Sequence, residues 1–181
     1  DAGFGCSASI SGNVALVGAS LHDLPGKGDA GAAYLFQSPD GGKTWPASET
    51  QMLTASNELA GSRFGSSVSV SGNTAFVGAE WQTVGANSQG GSAYIFRKSL
   101  GGGSWNEVQI LKTTNNAWFG VSVDISNNIA LVGARKQNAG GVSTSGAVYV
   151  YRSSDGGATW NETQELSASN AAAHDAFGSA V

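Results

Sequence analysis

The sequence predicts an all-β chain of tandem four-stranded antiparallel blades of β-propeller type, three complete and a fourth represented by its first strand. Three observations carry this. A unit recurs as FGCSASISGNVALVGA at Phe4–Ala19, FGSSVSVSGNTAFVGA at Phe64–Ala79 and FGVSVDISNNIALVGA at Phe119–Ala134, and FGSAV starts it again at Phe177. Later landmarks keep register with it: Tyr34, Tyr94 and Tyr149, then Trp45, Trp105 and Trp160. The step from Phe to Phe is 60 residues and then 55, too long for a solenoid coil and suited to a blade. The repeats accordingly divide at 1–60, 61–115 and 116–173, with 174–181 opening the next.

Each element has a local reason. Strand one alternates Phe64, Ser66, Val68 and Val70 with Gly65, Ser67 and Ser69, the period of two that a strand requires. The small residues of the second set are read as spacers that let another sheet approach. Ser-Gly-Asn before strand two supplies the positive-φ residue of a tight hairpin. Strand two (Thr74–Ala79) and strand three (Ala93–Phe96) are apolar on both faces, as in sheets covered from both sides. Strand four, over Glu49–Leu53, Glu107–Leu111 and Glu162–Leu166, mixes apolar anchors with Glu, Thr and Gln and reads as an outer edge.

Between strands three and four lie Ser38-Pro-Asp-Gly-Gly-Lys-Thr-Trp45 and Ser153-Ser-Asp-Gly-Gly-Ala-Thr-Trp160. Both match the Asp-box pattern S-x-D-x-G-x-T-W. Its structural residues are Ser38, Asp40, Gly42 and Trp45 in one copy and Ser153, Asp155, Gly157 and Trp160 in the other. The Asp is expected to cap backbone N–H groups and the Trp to pack over the turn. The middle copy, Lys98–Trp105, keeps Gly102, Ser104 and Trp105 but has Leu100 at the Asp position.

Composition narrows the function classes. Only 12% of residues are charged, about half the usual share, while 27 glycines and many Ser, Thr and Asn leave a polar but weakly charged surface. The net charge of −4 supplies no basic field for nucleic acid. No apolar run approaches the length of a membrane span. The single Cys6 shares its slot with Ser66, Val121 and Ser179 and is read as a buried small residue. The chain opens without Met and ends inside a motif, so it is read as an excerpt of something longer.

Phe-Gly before strand one and Val-Gly-Ala after strand two, at this spacing, resemble the FG-GAP repeats of integrin α-subunit propellers and of many microbial extracellular proteins. The resemblance spans all three full repeats. It implies blades with the Phe-Gly strand innermost and a non-enzymatic, extracellular or cell-surface role in adhesion or structural assembly. Many family members carry a calcium loop between strands one and two. Here it has shrunk to Ser11-Gly12-Asn13, Ser71-Gly72-Asn73 and Ser126-Asn127-Asn128, with only Asp124 nearby, so neither calcium nor another cofactor is expected.

Candidate sites are few. The strand-two-to-three connections, Ser20–Ala30, Glu80–Gly90 and Arg135–Ser145, vary between copies and in the resembled family face ligands. Together with the strand-four exits, which in that family lie on the same face, they yield His22, Trp81, Trp118 and Arg135 as candidate ligand-binding residues, with Asp23, Lys136 and His174 beside them, and Trp81 foremost because an exposed indole offers a flat face to a sugar. His22-Asp23 and His174-Asp175 lack a third ligand, so no metal site is expected. Asn161-Glu-Thr163 is an N-glycosylation sequon. Asp-boxes also occur in sialidases, but the arginine triad such a site requires is missing: Arg97 and Arg152 occupy equivalent strand-three ends. No catalytic residues are expected.

Three blades leave two sheet faces uncovered. A face of four short strands measures about 300 Å², and two of them, about 600 Å², reach the limit of what a monomer shows. The expected partners are therefore further blades of the same polypeptide or other copies stacked head-to-tail, which form a filament when the rotation does not close. The runner-up is a closed propeller that binds glycans or surface proteins, of which this chain is a fragment.

Overall fold

The computed structural model describes residues 2–101, 103–113 and 115–181. Gly102 of the middle turn lies outside the described residues. Twelve strands form three separate antiparallel sheets in simple up-and-down order. The first holds β1 (Phe4–Ser11), β2 (Val14–Ala19), β3 (Ala32–Gln37) and β4 (Gln51–Leu53). The second holds β5 (Ser67–Ser71), β6 (Thr74–Ala79), β7 (Ser92–Lys98) and β8 (Trp105–Lys112). The third holds β9 (Phe119–Ser126), β10 (Ile129–Ala134), β11 (Ala147–Arg152) and β12 (Asn161–Leu166). The described residues contain no α-helix, only a short 3-10 turn at Ala139–Gly141.

The hairpins follow from the turn residues. Gly12, Gly72 and Asn127 sit at φ +57, +56 and +55, the left-handed conformation that Gly and Asn tolerate. The register runs from Ser11↔Val14 back to Ser7↔Gly18, where a bulge at Gly5-Cys6 brings Phe4 opposite Ala19. Two outer strands also bulge. Val108 and Thr163 drop out of pairing with β7 and β11, and Val108 turns outward to stand 41% exposed. β4 is shorter than Glu49–Leu53 suggests, and β8 begins at the tryptophan itself.

The core lies between sheets rather than within one. One cluster joins Val14, Leu16, Leu35 and Leu53 of the first blade to Phe64, Val77 and Trp105 of the second. The other joins Phe76, Ile95 and Leu111 to Phe119, Tyr149 and Trp160 of the third. Strand alternation makes this possible: on β6, Ala75 and Val77 face the first blade while Phe76 faces the third. The middle sheet is thereby covered on both sides, and every residue of β6 is buried.

Three kinds of contact lock a blade to the one before it. In the first, backbone rests on backbone. Phe64 bridges Gly31 in parallel fashion, and a methyl group built on Gly31 or Gly18 would overlap the carbonyl of Phe64 or Gly65. The same seat recurs as Phe119-Gly120 on Gly91 and Gly78, and as Phe177-Gly178 on Gly146 and Gly133. In the second, serines of the first strands form a rail. Ser7, Ser67 and Ser122 donate to the carbonyls of Gly65, Gly120 and Gly178 at 2.8–2.9 Å, while Ser9 and Ser69 accept from the amides of Val70 and Ile125 at 3.1 Å. These serines are hydrogen-bonding groups as well as spacers.

The third is a side-chain clamp. The Gln51 amide grips the backbone N–H and carbonyl of Trp105, both at 2.8 Å, and Gln109 grips Trp160 identically. Cys6 is exposed, not buried, because the bulge lifts its position out of the packed face; its thiol lies 3.3 Å from the Gly65 carbonyl.

Gly78→Ala places a methyl group against the Gly120 carbonyl and the Ser67 hydroxyl. It should lower stability in urea unfolding by about 3 kcal/mol, the upper range for overpacking. Gly72→Ala, with open space around it but a left-handed backbone, should cost about 1 kcal/mol. Equal losses for the two variants would contradict the seat.

Candidate functional site

The two turns with Asp at the third position are closed by that side chain. Asp40 Oδ1 accepts from the Lys43 and Thr44 amides at 3.0 and 2.9 Å, and Oδ2 accepts from the Thr44 hydroxyl at 2.7 Å. The Ser38 hydroxyl donates to Asp40 and accepts from the Gly42 amide. Asp155, Ser153, Gly157 and Thr159 repeat the pattern. Gathered donors stabilise the carboxylate, so the Asp40 pKa falls to about 2, led by the Thr44 amide, and that of Asp155 falls well below its usual range, led by the Thr159 hydroxyl. Both carboxylates are consumed by the turn.

The tryptophans reach further than their own turns. Trp160 donates its indole N–H to Gly157 O, yet its ring meets Phe76 of the preceding blade edge-on, with centroids 4.9 Å apart. Trp105 is buried against the first blade although Leu100, at the Asp position of its turn, is 93% exposed. Trp45, in the first of the three sheets, stands 38% exposed. An indole after a hairpin can pack either way in sequence; its destination is set by the neighbouring sheet.

The variable loops bring together four of the expected residues. Arg63 lies 3.5 Å over the Trp81 ring, Trp81 and Trp118 are 6.1 Å apart, and Arg135 and Lys136 lie 4.2 and 3.7 Å over Trp118. This column of cations and indoles spans the second and third blades. Trp81 is half-buried beneath Arg63, and its buried N–H has no hydrogen-bond partner among the described residues, so it does not present a bare flat face. Half-buried Glu80 has its carboxyl pKa raised by desolvation, opposed by Arg135 and Arg63.

The remaining candidates separate. His22 packs in the first blade on Tyr34, with Nδ1 3.2 Å from the phenol oxygen, and Asp23 accepts from the Asp29 amide. His174 joins Arg135, Lys136 and Thr144 around a cavity of about 390 Å³. Asp175 caps the Ala172 amide. Asp124 accepts from the Ser69 hydroxyl across the blade boundary. Asn161 is exposed at the start of the edge strand β12, opposite Arg152. Arg63 and Thr144 were not legible as site residues, because single residues in irregular loops carry no periodic signal. Among the described residues no group of three His, Cys, Asp or Glu is placed to hold a metal.

A family model described as FG-GAP repeat matches residues 1–36, 47–96 and 105–151. No curated protein matches the sequence. Among solved structures, the chain is similar to the crystal structure of Saccharomyces cerevisiae Sqt1, with a TM-score of 0.56 at 12% identity. That alignment covers 94% of this chain and 37% of the yeast chain, and at this identity it speaks for the fold alone.

The Asp turns make acid stability sequence-specific. The folded pKa of Asp40 lies below the unfolded value of about 3.9, so its contribution is complete above that value and lost as pH falls through about 2. Asp40→Asn should therefore melt below the parent at neutral pH and converge with it at the acid end. A gap independent of pH in thermal melts would contradict this assignment.

Proposed function

The chain belongs to the FG-GAP repeat family, and we propose that it is a non-catalytic structural and adhesive repeat protein of the extracellular space or cell surface, its open sheet faces completed by further blades. One observation carries this reading: the open face of the first blade bears the aromatic set that the other blades bury. Phe64 meets Tyr94 and Phe96 at 5.2 and 6.0 Å, and Phe119 meets Tyr149 and Tyr151 at 5.4 and 6.4 Å, with both phenylalanines almost fully covered by the preceding blade. Phe4 makes the same contacts with Tyr34 and Phe36 at 5.4 and 6.5 Å but is 58% exposed, beside Ile10 at 66%. Such a surface is typical of an interaction face.

The opposite end carries the matching half. Gln164 of β12 occupies the place of the Trp-gripping Gln51 and Gln109, and Asp124 and Ser126 continue the serine rail. The two ends are therefore complementary in the sense that adjacent blades are. Phe177-Gly178 already fills the glycine seat of the third blade, as Phe64-Gly65 fills that of the first. Blades continuing from Phe177 fit this end directly, whereas a second copy stacking head-to-tail displaces residues 177–181. The non-catalytic reading rests on the placement of the arginines and tyrosines: Arg97 and Arg152 lie at equivalent strand ends opposite Thr74 and Ile129, and the repeat tyrosines pack on Phe.

Analytical ultracentrifugation of this chain, with electron microscopy, tests the reading. The chain should self-associate with rising concentration, removal of residues 177–181 should strengthen association, and Ile10→Lys with Trp45→Arg should abolish it. A monodisperse monomer at every concentration, with and without residues 177–181, would contradict it.

A further inference from the structure

The loops of the third repeat depart from the other two in a way the scaffold does not require. After Val-Gly-Ala the first repeat has Ser20-Leu21 and the second Glu80-Trp81, but the third has Arg135-Lys136. His174 likewise stands where Gly61 precedes the second blade. Both are left-handed, at φ +70 and +74, and both donate their amides to equivalent loop carbonyls, of Ser143 and Gly28. Histidine is among the few non-glycine residues that tolerate that conformation, and the glycine shows that the backbone needs no side chain there.

These substitutions converge on one cleft. Arg135, Lys136, Thr144 and His174 line the 390 Å³ cavity, and Lys136 and Thr144 also line an adjoining one of about 590 Å³ whose wall is rich in amides, from Asn115, Asn116 and Asn138. Both volumes fall in the range of small-ligand sites. Arg135 and Lys136 are held over the one Trp118 ring, and the single ion pair among the described residues is elsewhere, Lys27 to Glu58. Glu80, the acidic group that acts on Arg135, forms no ion pair with it, and burial raises its carboxyl pKa. Asp175 is committed to the Ala172 amide. His174 Nδ1 lies 2.6 Å from the Thr144 hydroxyl, which orients the ring at the cavity wall.

We propose that this joined cleft binds a carboxylate-bearing sugar of the uronate class. Arg135 and Lys136, with His174, hold the carboxylate; a guanidinium already oriented over an indole presents its N–H groups to two oxygens at once. The asparagine wall meets the hydroxyls: Asn138 Oδ1 already accepts from the Thr144 amide and Asn115 Nδ2 donates to Gln137 Oε1, so Asn138 offers its N–H groups, Asn115 its amide oxygen and Asn116 both. A chain of net charge −4 with only nine Lys and Arg has concentrated two of them here. The proposal does not rest on the reading of the assembly, since no lining side chain belongs to a strand of either open sheet face.

The test is titration calorimetry of the whole chain with trigalacturonate, its methyl ester, inorganic phosphate and acetate. The acid oligosaccharide should bind and the uncharged ester should not. Arg135→Gln should weaken binding about tenfold or more, as for loss of a charge-assisted hydrogen bond, with the exposed Lys136→Gln as a second variant should the first disturb folding by circular dichroism. Equal binding of the ester, unchanged affinity in both variants, or no binding at millimolar ligand would overturn the proposal. Phosphate or acetate binding as tightly as the uronate would reduce the cleft to a general anion site and overturn the sugar assignment.

Discussion

The seating of each Phe-Gly step on the glycine pair of the blade before it is the constraint on which the remaining structure depends. Gly18 and Gly31 leave no side chain between two backbones, so the carbonyls of Phe64 and Gly65 settle directly onto the preceding sheet. Gly65 must itself be left-handed to make the approach, at φ +88. That proximity brings the Ser7 hydroxyl to the Gly65 carbonyl, aligns Ser9 with the Val70 amide, and swings the far end of the blade so that Trp105 falls within the grip of Gln51. A side chain at the seat would separate all of these together.

Energy in such a chain belongs to boundaries more than to blades. Each four-stranded sheet buries its apolar residues only when another sheet covers them, which is why Phe64 and Phe119 are hidden while Phe4 is not. Nearest-neighbour coupling of this kind makes end blades the weakest. The polar, weakly charged exterior suits the proposed joining of blades, since few charges would have to be desolvated when faces meet. Functional variation is left to the loops, where a change of side chain does not disturb the seat.

Much of the fold was legible because it repeats. Three copies of Phe-Gly and Val-Gly-Ala locate the inner hairpins, and the apolar residues on both faces of β6 and β7 foretell a sheet covered on both sides. What sequence could not show is which neighbour each residue meets. Ser67 and Ser69 read as spacers although they bond to the next blade, Cys6 read as buried although a bulge lifts it out, and the tryptophans read as turn covers although they reach the sheet before them. In the loops, Trp81, Trp118 and Arg135 were visible as departures from the repeat. Their stacking with Arg63, and the approach of Thr144 to His174, arise from tertiary placement that no spacing encodes.

The most direct measurement is native-state hydrogen exchange at the Val70 and Ile125 amides, whose acceptors are the Ser9 and Ser69 hydroxyls of the neighbouring blade. If the seats bind the blades into one cooperative unit, these two amides exchange with the same protection as the strand amides of β6. Rapid exchange at Val70 and Ile125 while β6 stays protected would show that each sheet stands alone, and would contradict the account.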